Sequence, residues 1–126
     1  MAYFGQVAII DYGMGNLGSL INICKFYDLN FVVTSDPKEV LKSDIFILPG
    51  VGSFNLAMQK LNTSGLADSL REVAIAKQRK ILGICLGFQM FAEVSQEDGI
   101  TEGLGFFSKT IVSFRESRPT SLKVPH

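Results

Sequence analysis

Short apolar runs alternate with helical patterns along this chain, and no other feature constrains its fold as strongly. Four runs predict strands at Val7–Asp11, Phe31–Thr34, Ile45–Leu48 and Ile81–Ile84. Apolar side chains fill nearly every position of each run, which is typical of parallel strands buried on both faces. Because such strands are joined by right-handed crossovers, the pattern predicts an α/β fold with a doubly wound, mostly parallel sheet and helices on both faces.

The segments between the strands carry helical signals. Asp36, Pro37 and Glu39 form a helix start, with Asp36 as the cap, Pro37 at the first helical position and Glu39 at the third. The first helix places Cys24 on its apolar face, so we interpret Cys24 as a core residue. The remaining predictions are helices over Phe54–Leu61, Leu66–Lys77 and Phe88–Val94, a polar glycine-rich loop over Gly99–Gly105 and a weaker strand over Ile111–Phe114.

Length and composition exclude several classes of protein. The 126 residues suffice for one domain with a real core, and 47% hydrophobic against 19% charged residues is a globular composition. Twelve basic residues balance twelve acidic ones, which leaves no electrostatic footprint for nucleic acid. No apolar stretch approaches the roughly 18 residues of a membrane span, and no basic export signal precedes the first strand. We therefore expect a cytoplasmic protein with free thiols, and one His with two distant Cys predicts no metal site.

The fourth strand ends in Gly83-Ile84-Cys85-Leu86-Gly87, a G-x-C-x-G pattern. This is the thiol version of the nucleophile elbow, in which glycines relieve clashes around a strained strand-to-helix turn. The turn would place Cys85 at a helix N-terminus, which favours the thiolate, and would aim the Leu86 N–H at an oxyanion. The alternative is a buried structural Cys with glycines for close packing. The position at a strand–helix junction favours a catalytic Cys85.

Two further loops lie at the same sheet edge, where ligands of such folds bind. Pro49-Gly50-Val51-Gly52 follows the third strand and could offer backbone N–H groups to an oxyanion. Gly13, Gly15 and Gly18 follow the first strand and satisfy G-x-G-x-x-G, with Asp36 about 20 residues further on, as in dinucleotide-binding proteins. Asp36 is more simply explained as a helix cap than as a ribose-binding acid. A dinucleotide- or flavin-binding module is therefore the main alternative and not the preferred interpretation.

The sequence resembles the class I, triad-type glutamine amidotransferases, and within them the glutaminase subunits of imidazole glycerol phosphate synthase. The resemblance runs from the first strand to the last residue. It rests on four motifs: Asp11-Tyr12-Gly13-Met14-Gly15-Asn16-Leu17, Pro49-Gly50-Val51-Gly52-Ser53-Phe54, Gly83-Ile84-Cys85-Leu86-Gly87-Phe88-Gln89 and Lys123-Val124-Pro125-His126.

The resemblance implies hydrolysis of L-glutamine to glutamate and ammonia, without a cofactor. Cys85 would attack the side-chain amide and form a glutamyl thioester, while Gln89 would help to hold the substrate. The implied oxyanion hole comprises the Leu86 N–H and the backbone of Gly50, Val51 and Gly52, the loop contributing after a peptide flip.

The resemblance also implies a partner. Ammonia would pass through a tunnel into a cyclase subunit with a (β/α)₈ barrel, which makes imidazole glycerol phosphate for histidine biosynthesis and releases an aminoimidazole carboxamide ribotide. The two subunits would form a heterodimer, with Asp11, Asn16, Pro125 and His126 near the partner.

One departure from the family limits the expected activity. The family's base is a His followed two residues later by a Glu, downstream of the Val-Pro-His motif, and this sequence ends at His126. Residues 1–126 would then be the N-terminal portion of a single amidotransferase domain and inactive alone, because a thiol needs a base to cycle. Phe88 and Gly18 are smaller departures, at positions where the family commonly has Met and often has Arg.

Several functional alternatives stay open at this point. A sister group that supplies ammonia for the amination of bacterial surface sugars has overlapping motifs. A different thiol hydrolase, a redox-sensing fold and a non-catalytic interaction protein that docks on the cyclase are further possibilities.

Overall fold

The structure, a computed structural model, describes residues 5–96 and 99–111. A π-helical turn over Glu72–Ala76 continues the helix over Leu66–Arg71. The elements are, in chain order, β1 (Val7–Ile10), α1 (Gly18–Phe26), β2 (Phe31–Thr34), α2 (Pro37–Lys42), β3 (Ile45–Leu48), α3 (Phe54–Thr63), α4 (Leu66–Arg71), β4 (Lys80–Gly83), α5 (Leu86–Gln89), β5 (Ala92–Ser95), β6 (Thr101–Glu102) and β7 (Phe107–Ile111).

The first four strands form one parallel sheet in the order β2-β1-β3-β4. Val7 lies opposite Phe31 on one side and Ile45 on the other, so β1 is central. The chain therefore moves outward from β1 to β2 and then crosses back to β3. That reversal creates a crevice at the carboxyl ends of β1 and β3, where ligands of open α/β sheets bind. The predicted doubly wound, mostly parallel sheet is confirmed.

Helices cover both faces of this sheet, as predicted. One face packs Ala8, Ile10, Phe46 and Leu48 against buried side chains of α2, α3 and α4. The opposite face packs Val7, Ile9 and Ile47 against α1, where Cys24 is buried as expected. Alternate residues of β1 and β3 thus contribute to two separate apolar clusters, which explains why these strands carry no polar positions.

Two of the helices, α2 and α3, begin at a side-chain cap. The Asp36 carboxylate accepts a hydrogen bond from the Lys38 N–H at 2.9 Å, and Pro37 opens α2, as the sequence predicts. Glu39 does not close a capping box, because its carboxylate accepts from the Thr34 hydroxyl at 3.0 Å instead. The Ser53 hydroxyl caps α3 at the end of the Pro49–Gly52 loop.

The predicted helix over Phe88–Val94 is wrong beyond Gln89. The chain leaves α5 and enters β5, which pairs with β6 and β7 in a second, three-stranded sheet. A segment over residues 103–106 runs alongside and donates N–H groups to the carbonyl oxygens of Met90, Phe91, Ala92 and Glu93. Since these carbonyls accept from a distant segment, tertiary contacts override the local helical pattern.

Two smaller expectations also change. The Gly99–Gly105 loop contains the short strand β6, and the last strand begins at Phe107, four positions before the predicted Ile111. The Arg71 guanidinium of α4 ties this region to the main body, because it donates to the carbonyl oxygens of Leu104 at 3.1 Å and Gly103 at 3.2 Å.

Within residues 5–96 and 99–111, every helix falls short of the length and apolar character that a bilayer crossing requires. The same residues hold no group of three or more His, Cys, Asp or Glu side chains that could bind a metal ion. The partner positions Pro125 and His126, and the motif to which they belong, lie outside the described residues.

Candidate active site

Cys85 occupies a strained turn between β4 and α5. Its φ of 54° and ψ of −120° place a non-glycine residue in a sparsely populated backbone region. Such angles cost of order 1–3 kcal/mol and persist only where the surroundings enforce them. The Ile84 N–H donates to the Leu48 carbonyl at 3.0 Å and the Gly87 N–H donates to the Ile84 carbonyl at 2.9 Å, which fixes both sides of the turn. The thiol itself is exposed. This is the geometry that the elbow pattern predicts.

The flanking glycines are required by close backbone approach. A Cβ on Gly87 would collide with the carbonyl oxygen of Leu48 at the end of β3. A Cβ on Gly83 would lie 2.5 Å from the Cα of Phe88. Both glycines therefore let α5 fold back against the sheet, which is what presents Cys85 at the sheet edge. α5 is a single turn, so the contribution of a helix dipole to the site is small.

The Pro49–Gly52 loop lies directly beside the elbow. The Leu86 N–H donates to the Gly50 carbonyl oxygen at 3.2 Å. The N–H that the sequence assigns to an oxyanion therefore already has an acceptor in this conformation. Val51 is exposed, and the exposed Gly52 has a φ of 108°. An oxyanion hole that uses Leu86 requires the Gly50 carbonyl to turn away.

A pocket of about 220 Å³ opens beside Cys85 at the carboxyl ends of β1, β3 and β4. It is the crevice that the strand order creates. The pocket brings together four predicted site residues, Cys85, Gly50, Val51 and Asn16. Its other lining residues are Gly15, Ser19, Leu20, Pro49 and Ile84.

Other predicted residues flank this pocket without lining it. Gln89 is the last residue of α5 and is half-buried. Leu86 is buried, and its N–H donates to the Gly50 carbonyl oxygen. Asp11 is exposed in the loop after β1, and its carboxylate accepts from the Gly13 N–H at 3.4 Å. Asp11 lies on the same loop as Asn16, which lines the pocket, at the carboxyl edge of the sheet.

The glycines of G-x-G-x-x-G have local structural roles. Gly15 approaches the backbone of Gly50, where an added Cβ would lie 3.6 Å from the Gly50 nitrogen. The Gly18 N–H donates to the Asn16 side chain at 3.0 Å, and Asp36 caps α2. The groups that would hold a pyrophosphate and a ribose in a dinucleotide site are thus engaged elsewhere, which argues against that alternative.

Comparison with known proteins identifies the family. Residues 16–124 match the model of the CobB/CobQ-like glutamine amidotransferase domain. The chain belongs to this family. In this amidotransferase domain, Cys85 stands at the elbow and the Pro49–Gly52 loop adjoins it.

Curated relatives of the amidotransferase domain carry more specific names. The chain is 43% identical over 122 residues to imidazole glycerol phosphate synthase subunit HisH 1 from Campylobacter jejuni subsp. jejuni serotype O:23/36 (strain 81-176), and 44% identical over 122 residues to subunit HisH from Sulfurimonas denitrificans. Each match covers 96% of this chain but only 59% and 58% of the respective relative. The chain thus spans less than two thirds of the length of these relatives.

A solved structure supports the fold alone. A protein from Listeria monocytogenes EGD-e described as a peptidase E superposes with a TM-score of 0.55 at 16% identity. The superposition covers 75% of this chain and 52% of that chain. It agrees with the α/β architecture of the described residues.

Sequence reasoning missed one contact between the loops at this sheet edge. The Tyr12 hydroxyl donates to the Pro49 carbonyl oxygen at 2.6 Å, which joins the loop after β1 to the loop after β3. The sequence offered one signal, since Tyr12 sits inside the first motif at a strand end, yet only the fold shows which loop it reaches.

The two thiols should differ sharply in reactivity. Cys24 is 2% exposed and burial raises the pKa of its thiol, which lowers its thiolate fraction at neutral pH, whereas Cys85 is exposed. We expect iodoacetamide to alkylate Cys85 at least about tenfold faster than Cys24 in the folded chain, as read by peptide mass spectrometry.

The control for this labelling is the Cys85→Ala chain, which should incorporate almost no label until it is unfolded in denaturant. Similar rates at the two thiols in the native wild-type chain would contradict the burial of Cys24.

Proposed function

We propose that this chain forms the nucleophile-bearing part of a glutaminase, which hydrolyses L-glutamine and supplies ammonia to a cyclase that makes imidazole glycerol phosphate in histidine biosynthesis. The observation that carries the proposal is the exposed Cys85 on a strained elbow that opens into a pocket at the switch point of the sheet. The HisH names of the relatives indicate the pathway. Residues 1–126 are then the N-terminal portion of a single domain.

In this proposal the Cys85 sulfur attacks the side-chain carbonyl carbon of glutamine. The proton lost by the thiol ends on the departing nitrogen, the C–N bond of the tetrahedral adduct breaks, ammonia leaves, and a glutamyl thioester remains on the sulfur. Water then cleaves the thioester and releases glutamate. Gln89 helps to hold the substrate, and the developing oxyanion is met by backbone N–H groups of Leu86 and the Gly50–Gly52 loop.

The loop must change conformation for this role. Because the Gly50 carbonyl accepts the Leu86 N–H at 3.2 Å, the described conformation has a carbonyl where an oxyanion would bind. Turning the Gly50–Val51 peptide would free the Leu86 N–H and would direct the Val51 N–H toward the pocket. No metal or organic cofactor enters this chemistry.

The partner in this proposal is a cytoplasmic cyclase subunit with a (β/α)₈ barrel, bound as a heterodimer. The exposed Asp11 and Asn16 occupy the sheet edge beside the pocket, which is the direction from which an ammonia-accepting subunit would dock. Pro125 and His126 are proposed to belong to the same interface.

A glutaminase assay tests the proposed function. We expect a polypeptide extended with the downstream coding sequence, which should encode a His-x-Glu pair, to release glutamate when it is bound to its cyclase. We expect residues 1–126 alone to give no turnover, because the single His of this sequence is His126 and belongs to a motif that is not catalytic in the family.

Glutamate release is measured with and without the cyclase, and the cyclase alone is the blank. An inactive extended complex would refute the proposed function, and an extended complex that aminates a sugar instead would move the protein to the sister group. Robust turnover by residues 1–126 would refute the requirement for a downstream base.

A further inference from the structure

The Pro49–Gly52 loop beside Cys85 has a buried first half and an exposed second half. Pro49 and Gly50 are buried, whereas Val51 is 62% exposed and Gly52 is also exposed. The Tyr12 hydroxyl donates to the Pro49 carbonyl oxygen at 2.6 Å, a short and therefore strong hydrogen bond. The carbonyl that Tyr12 holds belongs to the Pro49–Gly50 peptide, immediately before the peptide that must turn.

Tyr12 also limits the space around Gly50. A Cβ on Gly50 would collide with the Tyr12 hydroxyl, and it would lie 3.2 Å from both the Gly87 nitrogen and the Leu86 Cβ. The ring is half-buried, and burial raises the pKa of the Tyr12 phenol, so the hydroxyl stays protonated and remains a donor at every pH near neutrality. The Pro49–Gly50 peptide is therefore enclosed between the phenol and the elbow.

The enclosure of the Pro49–Gly50 peptide affects how the next peptide, Gly50–Val51, can turn. The Gly50–Val51 peptide is planar, so it turns through the two flanking dihedrals, ψ of Gly50 and φ of Val51. Its carbonyl leaves the Leu86 N–H cleanly only if the preceding peptide stays in place. If the Pro49–Gly50 peptide moved as well, the N–H donors would not converge on the oxyanion that forms when Cys85 attacks the amide carbon.

We propose that Tyr12 is a positioning residue that clamps the Pro49–Gly50 peptide, so that the Gly50–Val51 peptide turns alone against a stationary pivot. The clamp is a property of this chain whatever its reaction. Its effect on catalysis rests on the proposed glutaminase function. Nothing in this role requires Tyr12 to touch substrate.

Amide hydrogen exchange in the 126-residue chain tests the clamp directly. Tyr12→Phe removes the hydroxyl and keeps the ring, so the Pro49–Gly50 peptide loses its anchor. We expect the Leu86 amide, which donates to the Gly50 carbonyl, to exchange about tenfold faster. The Ile84 amide, which donates to the Leu48 carbonyl on the sheet side of the elbow, should not change.

The matched control is Tyr27→Phe, which removes a phenol hydroxyl from a residue that is 67% exposed immediately after α1. It should leave both amides unchanged. Faster exchange at Ile84 as well as Leu86 would indicate general loosening and would overturn the proposal, as would an unchanged Leu86 amide.

Kinetics of the extended complex test the consequence for catalysis. We expect Tyr12→Phe to lower kcat for glutamine hydrolysis about tenfold, with KM within about twofold, because the oxyanion donors act mainly in the transition state. Alkylation of Cys85 by iodoacetamide needs no oxyanion donor and should match wild type.

The two experiments fail in distinguishable ways. A wild-type complex that releases no glutamate contradicts the proposed function, while exchange at Leu86 still decides whether the clamp exists. An active wild type with an equally active Tyr12→Phe variant overturns the positioning role.

Discussion

Replacing Cys85 with alanine is expected to reduce glutamine hydrolysis by about 10⁴-fold or more in the extended complex with its cyclase. The reaction proposed for this site runs through a thioester on the Cys85 sulfur, and Cys85 is the exposed one of the two free thiols among the described residues. The second thiol, Cys24, lies in the cluster between α1 and the sheet and cannot substitute for it. The measurement is glutamate release under saturating glutamine.

Two controls separate loss of chemistry from loss of structure. Cys24→Ala should keep most of the activity, since it removes only a buried sulfur remote from the pocket. The Cys85→Ala complex supplied with ammonium salts should still run the cyclase reaction, because in the proposed reaction the cyclase takes up ammonia and not glutamine. Residual glutaminase activity within tenfold of wild type would rule out Cys85 as the nucleophile.

Replacing Gly87 with alanine should have the largest effect on stability. The added Cβ would collide with the carbonyl oxygen of Leu48, which is backbone and cannot rotate away. Relief requires α5 to separate from β3 and therefore disturbs the Ile84 and Leu86 hydrogen bonds around the elbow. We expect the free energy of unfolding to fall by about 3 kcal/mol or more, or the chain not to fold at all. Denaturant unfolding followed by circular dichroism measures the change.

Gly18→Ala is the matched control for this substitution. Gly18 begins α1, and its added Cβ would meet only the exposed Asn16 side chain, at 3.3 Å. Alanine has the higher helix propensity, so the expected change is within about 1 kcal/mol of zero. Similar destabilisation at Gly18 and Gly87 would show that close approach to Leu48 is not what requires a glycine at the elbow.

The parallel sheet was predictable from sequence because a strand that is buried on both faces is apolar at consecutive positions. Ile45–Leu48 is a continuous apolar run and Phe31–Thr34 is apolar up to Thr34, and β3 and β2 have those bounds. The elbow was predictable for a related reason, since a strained nucleophile turn demands glycines at fixed offsets. The cap at Asp36 likewise depends on neighbours within a few residues.

The failures concern contacts between residues that are distant along the chain. The residues after Gln89 are apolar enough to predict a helix. The carbonyl oxygens of Met90 and Ala92 instead accept hydrogen bonds from the segment over residues 103–106, which follows β6. Tyr12 and Pro49 are 37 positions apart, and nothing in either motif reveals that the Tyr12 hydroxyl donates a hydrogen bond to the Pro49 carbonyl oxygen. Periodicity reports which face is buried but not what lies against it.

The placement of the elbow also orders the events of folding. Two of its hydrogen bonds join it to the end of β3 and the loop after it, through Leu48 and Gly50, and we expect them to form only once β4 has paired with β3. During synthesis, β1, α1 and β2 emerge long before Cys85 is translated. The strained backbone of Cys85 therefore depends on a paired sheet, so we expect an unfolded chain to carry an ordinary thiol and to gain the geometry of the proposed nucleophile together with its native state.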